Sequence, residues 1–577
     1  MANRYWVGGS GSWTATATTN WSATSGGSAG ASAPTSTDNV FFDQAGAYTV
    51  AMSGALAFNN ITVSAGTVTF TETTGSLNIY GNMSFISGTV WSGTLLMTLG
   101  GSGVTQTVRT NGTVFNCPIT FNPGATGAIQ LLDNFNTATS ILVTLSSGVL
   151  DLNNNTLSCG RFAINAYTGI IRNIYFGSSG AITVSPSAGG TAFTLNSSST
   201  GITITGTPTI NVISTQATIT TVNAVGGSPA LFNFNISSTG NYQVNISSGS
   251  SVNNLNFTGF TALLGATGIS IYGNLTLVAG ATFTSTSLVW AFIGNTTQTI
   301  TSNGAAFPAA MTIGNASGNS TTLVLNDAFT MSSGRTCQLQ NGTLNLNGKT
   351  FTCLYQFIVY AGGGGTAVPV NITFNGGTLA LLYSNSTLGS FDALTYVTQN
   401  TGKFTTTAGT GTGTISLTPA TGKVFWGGGF VYNCTLNQGG VGNLTITGNN
   451  TFNDMTCTAT SIGATNILFA AGSTQTVNNF SISGSYNFVY LKSNSAGTAW
   501  YLYKPYGIVS GVNSLIITDG YVGNAVPGYT NNTTSFWYGG LSSTWGGLSG
   551  GDHGGWRLSP GFIGYVNIGN ESSSFFF

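Results

Sequence analysis

Charge is what this sequence has least of. Across 577 residues there are 11 Lys plus Arg, 11 Asp plus Glu and one His, so 4% of the chain is charged and the net charge is zero. About 25% is usual for a soluble domain. Without a Lys/Arg cluster nothing can neutralise a phosphate backbone, which argues against nucleic acid and against an anionic membrane surface. No apolar run approaches the roughly 20 residues of a helical span, so no membrane insertion is expected. The opening Met1-Ala2-Asn3-Arg4-Tyr5-Trp6-Val7-Gly8-Gly9 has no apolar core of the secretory kind. Pro is scarce, 12 in all, as expected where most backbone N–H groups are needed in strand ladders. Six cysteines permit disulfides. However, Cys159 and Cys353, like Cys117 and Cys434, fall at equivalent places in repeated segments, so buried free thiols are expected.

In place of charge the chain has Ser, Thr, Asn and 83 Gly, with 41% hydrophobic residues. That is not the composition of disorder. Short runs alternate apolar and small polar residues, as in Gly66-Thr67-Val68-Thr69-Phe70 and Gly75-Ser76-Leu77-Asn78-Ile79-Tyr80. Period two bounded by Gly, Asn and Ser predicts strands throughout and no helix. The segment 79–159 recurs at 271–353. Ile79-Tyr80-Gly81-Asn82 returns as Ile271-Tyr272-Gly273-Asn274, Thr105-Gln106-Thr107-Val108 as Thr297-Gln298-Thr299-Ile300, and Gly148-Val149-Leu150-Asp151-Leu152-Asn153 as Gly342-Thr343-Leu344-Asn345-Leu346-Asn347. A partial third copy spans 424–483 and includes Thr474-Gln475-Thr476-Val477. Such repetition predicts an all-β, right-handed parallel β-helix (β-solenoid) with N- and C-terminal capping modules. Coils of about 20 to 25 residues would number about 18 to 22, with Asn pairs such as Asn59-Asn60 and Asn253-Asn254 stacking along the turns. A string of antiparallel β-sandwiches gives the same local pattern and is the alternative.

Three regions follow: a Trp/Gly-rich module at 1–44, the repeated body at 45–483 and an aromatic-rich module at 484–577. The first, with Tyr5-Trp6-Val7-Gly8-Gly9, Asn20-Trp21-Ser22 and Val40-Phe41-Phe42-Asp43, resembles the start of repetitive parallel β-helix surface and adhesin proteins of bacteria and of phage tail fibre or spike-type virion proteins. The last, with Leu491-Lys492-Ser493, Gly497-Thr498-Ala499-Trp500 and Gly554-Gly555-Trp556, is similar to the final module of bacterial β-helical surface proteins. The resemblance implies an exposed, structural role.

Asp133 and Asp327 occupy matching segments, which favours turns; Asp552 beside His553 sits in a glycine-rich loop; the other acids are dispersed. Neither a carboxylate pair for glycoside cleavage nor a metal-ligand spacing stands out, so no enzyme, cofactor or metal is expected. Exposed aromatics suit stacking on sugar rings, which makes Trp500, Tyr501, Tyr503, Tyr506, Trp537, Tyr538 and Trp545 the candidate binding residues. Thr-x-Thr segments such as Thr203-Ile204-Thr205 would form a hydroxyl array if stacked. The expectation is a structural bacteriophage virion protein of the tail fibre or spike type, a homotrimer, joined to other virion proteins through its N-terminal module and attaching to host surface glycans. Its location is then the virion, extracellular after host lysis. A capsid-decorating protein, a bacterial adhesin and a polysaccharide depolymerase are the competing readings.

Overall fold

In the computed structural model the chain is all-β, and no helix occurs among the described residues. These are 1–101, 103–164, 170–187, 190–195, 202–213, 219–223, 232–240, 243–266, 268–283, 289–315, 320–360, 368–384, 389–393, 404–419, 421–458, 465–482, 484, 487–505, 515–522, 526–527, 537–538, 543–545 and 555–557. Two compact units divide the chain, Met1–Leu288 and Val289–Phe577. Both are built of stacked parallel coils, about 17 turns in all. Among the described pairings the single antiparallel one is Asn3–Trp6 with Trp21–Ser22. Antiparallel sandwiches are therefore not what the repeat encodes.

In the first unit a typical coil carries three strands, for example Ala128–Leu131, Phe135–Thr137 and Leu142–Leu145. Each strand lies in register on its counterpart one coil later. Phe58 pairs with Ile79, then Leu99, Phe121, Leu145, Ile164 and Leu195, and all seven are buried. The alternation noted in the sequence thus becomes an inward ladder and an outward ladder on every face. Two early strands, Ala47–Phe58 and Thr67–Ile79, run past a corner and serve two faces. Gly54 and Gly75 make the bend with φ of 85° and 114°, and a Cβ on Gly75 would sit 1.9 Å from the Gly54 carbonyl oxygen. Only glycine fits there.

At the start of this unit Trp6, Trp13 and Trp21 are core residues, each 1% exposed or less. Trp6 and Trp13 meet Trp21 edge-on at 5.2 and 5.0 Å, and Trp13 stacks on Phe58 at 5.2 Å. The strands Asn3–Trp6 and Gly11–Thr14 pair in parallel with Asn39–Phe42 and Ala47–Phe58, so the opening residues already belong to the coil pattern.

The second unit has its own buried ladders. Trp290, Met311, Cys337, Phe357, Phe391, Phe425, Ile446 and Phe469 are successive partners on one face. Phe329, Phe351, Leu379, Ile415, Leu436, Met455 and Phe480 are partners on another. The total falls below 18 to 22 coils because some steps are long: Phe357 pairs with Phe391 and Ile372 with Thr406, each 34 residues on. All six cysteines are free thiols, and all but Cys457 are buried. Burial pushes the Cys117 and Cys353 thiols up to about 12, where they behave as small apolar groups.

Candidate functional site

The duplicated residues are the fasteners of the coils. Asn59 and Asn60 both donate to Asn39 Oδ1, at 2.9 and 2.7 Å, and the Asn82 N–H donates to Asn60 Oδ1 at 2.6 Å. The same arrangement recurs with Asn253 and Asn254 on Asn233 Oδ1, at 2.9 and 2.8 Å, and the Asn274 N–H on Asn254 Oδ1 at 2.6 Å. The structural repeat therefore begins earlier than Ile79. Asn111-Gly112 and Asn303-Gly304 are matching left-handed turns, with Asn φ of 47° and 48°, a conformation Asn tolerates better than most residues.

Sequence reasoning did not foresee the role of the Thr-Gln-Thr segments. Gln106, Gln298 and Gln475 are 0% exposed. Gln106 Nε2 donates to the carbonyls of Ile79 and Gly81, at 3.3 and 3.2 Å. Gln298 Oε1 accepts the Gly294 N–H at 3.0 Å. Gln475 Nε2 donates to the Gly448 carbonyl at 2.7 Å, while its Oε1 accepts Asn450 Nδ2 at 2.9 Å and the Asn450 N–H at 3.3 Å. Each is a buried amide that satisfies backbone groups where the chain turns a corner, and such groups are costly to leave unpaired. The signal was available: each Gln sits in phase with an inward apolar residue two places on.

The acids are used in the same way. Asp133 accepts the N–H groups of Thr110 at 2.8 Å and Asn111 at 2.6 Å, and Asp327 accepts those of Ser302 and Asn303 at 2.8 and 2.6 Å. Asp38 accepts the Ala2 and Thr35 N–H groups, Asp151 the Asn153 N–H and Asp519 the Gly497 N–H. Glu72 stands apart. It lies in a recess lined by Met52, Leu56, Leu77 and Leu95 and accepts the Leu95 N–H at 3.1 Å. Burial pushes its carboxyl up to about 7, against that hydrogen bond. Lys423, fully buried where Glu72 is only partly so, donates to the carbonyls of Pro419, Gly440 and Val441 at 2.6, 3.2 and 2.8 Å. No group of three or more His, Cys, Asp or Glu able to hold a metal occurs among the described residues. Asp552, His553 and Glu571 lie outside them.

The candidate aromatics separate by strand phase. Trp500 is fully buried, stacked on Phe469 at 4.1 Å with its Nε1 donating to the Thr518 carbonyl at 2.8 Å. Trp537 is 1% exposed, against Phe480 and Trp556. Both belong to the core and present no face to a sugar, which corrects the expectation for these two. Tyr501 and Tyr503 alternate with Trp500 and Leu502 along one strand and are partly exposed. Tyr501 pairs in register with Tyr521, rings 5.8 Å apart. Tyr538 and Trp545 are placed by backbone pairing alone, opposite Arg557 and Ile517, and Tyr506 lies outside the described residues. A further outer aromatic pair, Tyr355 and Tyr383 at 4.3 Å, comes from two coils and was not singled out in the sequence.

One face of the second unit is uniform. The strands Thr297–Thr301, Thr321–Leu325, Gly342–Asn345, Val370–Thr373 and Phe404–Thr407 stack in parallel. Their outward positions form two columns, Thr297, Thr322, Thr343, Asn371 and Thr405 beside Thr299, Val324, Asn345, Thr373 and Thr407. Each of these side chains is partly or well exposed. Thr405 and Thr407 donate to Asn371 Oδ1 at 3.0 and 3.2 Å, and Asn371 Nδ2 donates to Thr373 Oγ1 at 2.9 Å. The corresponding face of the first unit is mixed: Thr105 and Thr107, Ala128 and Gln130, Val149 and Asp151, Asn173 and Tyr175, Thr203 and Thr205.

No family model, no curated protein and no solved structure matches this chain.

Proposed function

We propose that the chain is a structural attachment protein of a bacteriophage virion, of the tail fibre or spike type, that binds glycans on the host surface. The observation that carries this reading is the division of labour between inside and outside. Asp, Gln and many Asn side chains are spent on backbone groups at turns, whereas Thr, Asn and Tyr are left outward on a rigid parallel scaffold. Such a surface offers hydroxyl and amide hydrogen bonding, and Tyr501 and Tyr521 on another face offer aromatic rings, the chemistry that recognises sugars. The likeness of the opening segment to repetitive β-helix proteins of bacteria and phage supplies the virion part of the reading, with homotrimers and an N-terminal link to other virion proteins. Location on the particle, outside the cell after lysis, follows from it.

The test is binding of the labelled full chain to candidate host cells before and after periodate oxidation of their surface sugars. Saturable binding that periodate abolishes is the expected result. Binding that survives oxidation, or release of new reducing ends from the envelope polysaccharide, would overturn it in favour of a protein receptor or a depolymerase.

A further inference from the structure

The uniform outward face of the second unit, rather than the C-terminal tyrosines, is where we infer that the glycan lies, and its ligand is a neutral polysaccharide. This rests on the glycan-binding reading above and names the surface and ligand class. Ten outward positions on five consecutive strands hold seven Thr, two Asn and Val324, with no charge. Neighbouring coils set the residues of one column about 4.8 Å apart, and positions two apart along a strand are separated by about 6.6 Å. The result is a regular grid of donors and acceptors. The Thr side chains are stiff about χ1, and the Asn371 amide ties Thr373, Thr405 and Thr407 into one network, so little side-chain freedom is lost when a ligand settles on them.

Charge complementarity selects the ligand. An acidic polysaccharide brings carboxylates or phosphates that need cationic partners when desolvated, and none of the ten positions supplies one. A neutral chain brings only hydroxyls and ring C–H groups, which match Thr hydroxyls, Asn amides and Thr methyls. The first unit is the internal comparison. The same register there holds Asp151, Gln130 and Tyr175, so the repeat itself does not require the neutral face. Inward residues beneath the second-unit grid, Leu323, Leu344 and Ile372, are fully buried. The outward Thr can therefore be changed without opening the core.

The experiment is affinity electrophoresis and bead retention of the full chain on dextran, mannan and galactan as neutral probes, with hyaluronate and polygalacturonate as acidic ones. Wild type is expected on at least one neutral polymer and on neither acidic one. The double variant Thr322→Lys/Thr343→Lys should lose tenfold or more in affinity, and Thr322→Val/Thr343→Val, which keeps strand preference and shape, should lose several-fold. Ala128→Lys/Val149→Lys at the same register of the first unit should bind as wild type. Retention by the Thr variants with loss in Tyr501→Ala/Tyr521→Ala would overturn the placement and leave the glycan-binding reading standing. Retention of wild type on acidic polymers alone would overturn the ligand class. No binding to any polymer, together with periodate-insensitive or absent binding to cells, would remove both.

Discussion

Replacing Gln475 by Met tests whether corner amides hold the coils. The substitution keeps the length of the side chain and removes its hydrogen bonds. In the native corner Gln475 makes four: to the Gly448 carbonyl and Ser473 Oγ through Nε2, and from the Asn450 N–H and Nδ2 through Oε1. Without them the Gly448 carbonyl retains Asn450 Nδ2 at 3.2 Å, but the Asn450 N–H loses its acceptor in a corner where both residues are 0% exposed. One orphaned buried N–H costs about 1–3 kcal/mol and each ordinary bond lost about 0.5–1.5 kcal/mol. Burying the Met side chain returns about 1.5 kcal/mol, so with three further bonds lost beside the orphan the net loss is about 1–6 kcal/mol. Stacked coils need not unfold as one unit. The assay is therefore native-state hydrogen exchange on peptides covering Thr447–Ser473, with urea unfolding of the whole chain beside it. Thr474→Val, on the outward side of the same strand, should change stability by no more than about 0.5 kcal/mol. If Gln475→Met exchanges no faster than wild type, apolar burial alone holds the corner and the reasoning fails.

Other expectations follow from the same geometry. Asp133→Ala and Asp327→Ala each remove the acceptor for two turn N–H groups and should cost about 1–3 kcal/mol in urea unfolding, with Asp→Asn recovering part of that. Asn303→Gly should be close to neutral and Asn303→Val should lose about 1–2 kcal/mol, because only the latter resists a φ of 48°. Glu72 has a native carboxyl pushed up to about 7 from 4.5, so the folded state holds a proton that the unfolded state has released. Stability from this group is full below about 4.5 and is lost as the pH rises through 7, by about 2 kcal/mol after allowing for partial exposure. Glu72→Gln should flatten that slope, and an unchanged slope would refute it. Alkylation of the native chain followed by mass spectrometry should modify Cys457 first and leave the other five cysteines slow until unfolding.

Most of the fold was written in the sequence at the level of phase. Alternation put Phe58, Ile79, Leu99 and Phe121 on one side and their neighbours on the other, and the 79–159 repeat favoured stacked coils, while independent sandwiches were excluded only by the parallel pairing of the strands. The Asp133 and Asp327 turns were legible because both copies carry them. The fate of the aromatics was less so. Treated as a cluster, Trp500, Tyr501 and Tyr503 looked alike, but strand phase sends Trp500 and Leu502 inward and Tyr501 and Tyr503 outward. Trp537 went the same way as Trp500, since a large apolar ring next to Phe480 gains more by burial than by exposure. The uniform Thr/Asn face was invisible locally because its ten residues come from five strands spread over more than a hundred positions, and register is what gathers them. The shortfall in coils has the same origin: excursions such as those between Phe357 and Phe391 lengthen a turn without changing its strand pattern.

Apolar ladders hold this chain, with amides, hydroxyls and turn carboxylates satisfying backbone groups in place of attraction between opposite charges. Urea unfolding of the full chain at about 0.01 M and at about 1 M sodium chloride tests it directly, since those conditions shrink the Debye length from about 30 to about 3 Å. The midpoint and slope should coincide at the two salt concentrations. A midpoint that falls steeply with added salt would show that attraction between charges carries the stability, and the account would be wrong.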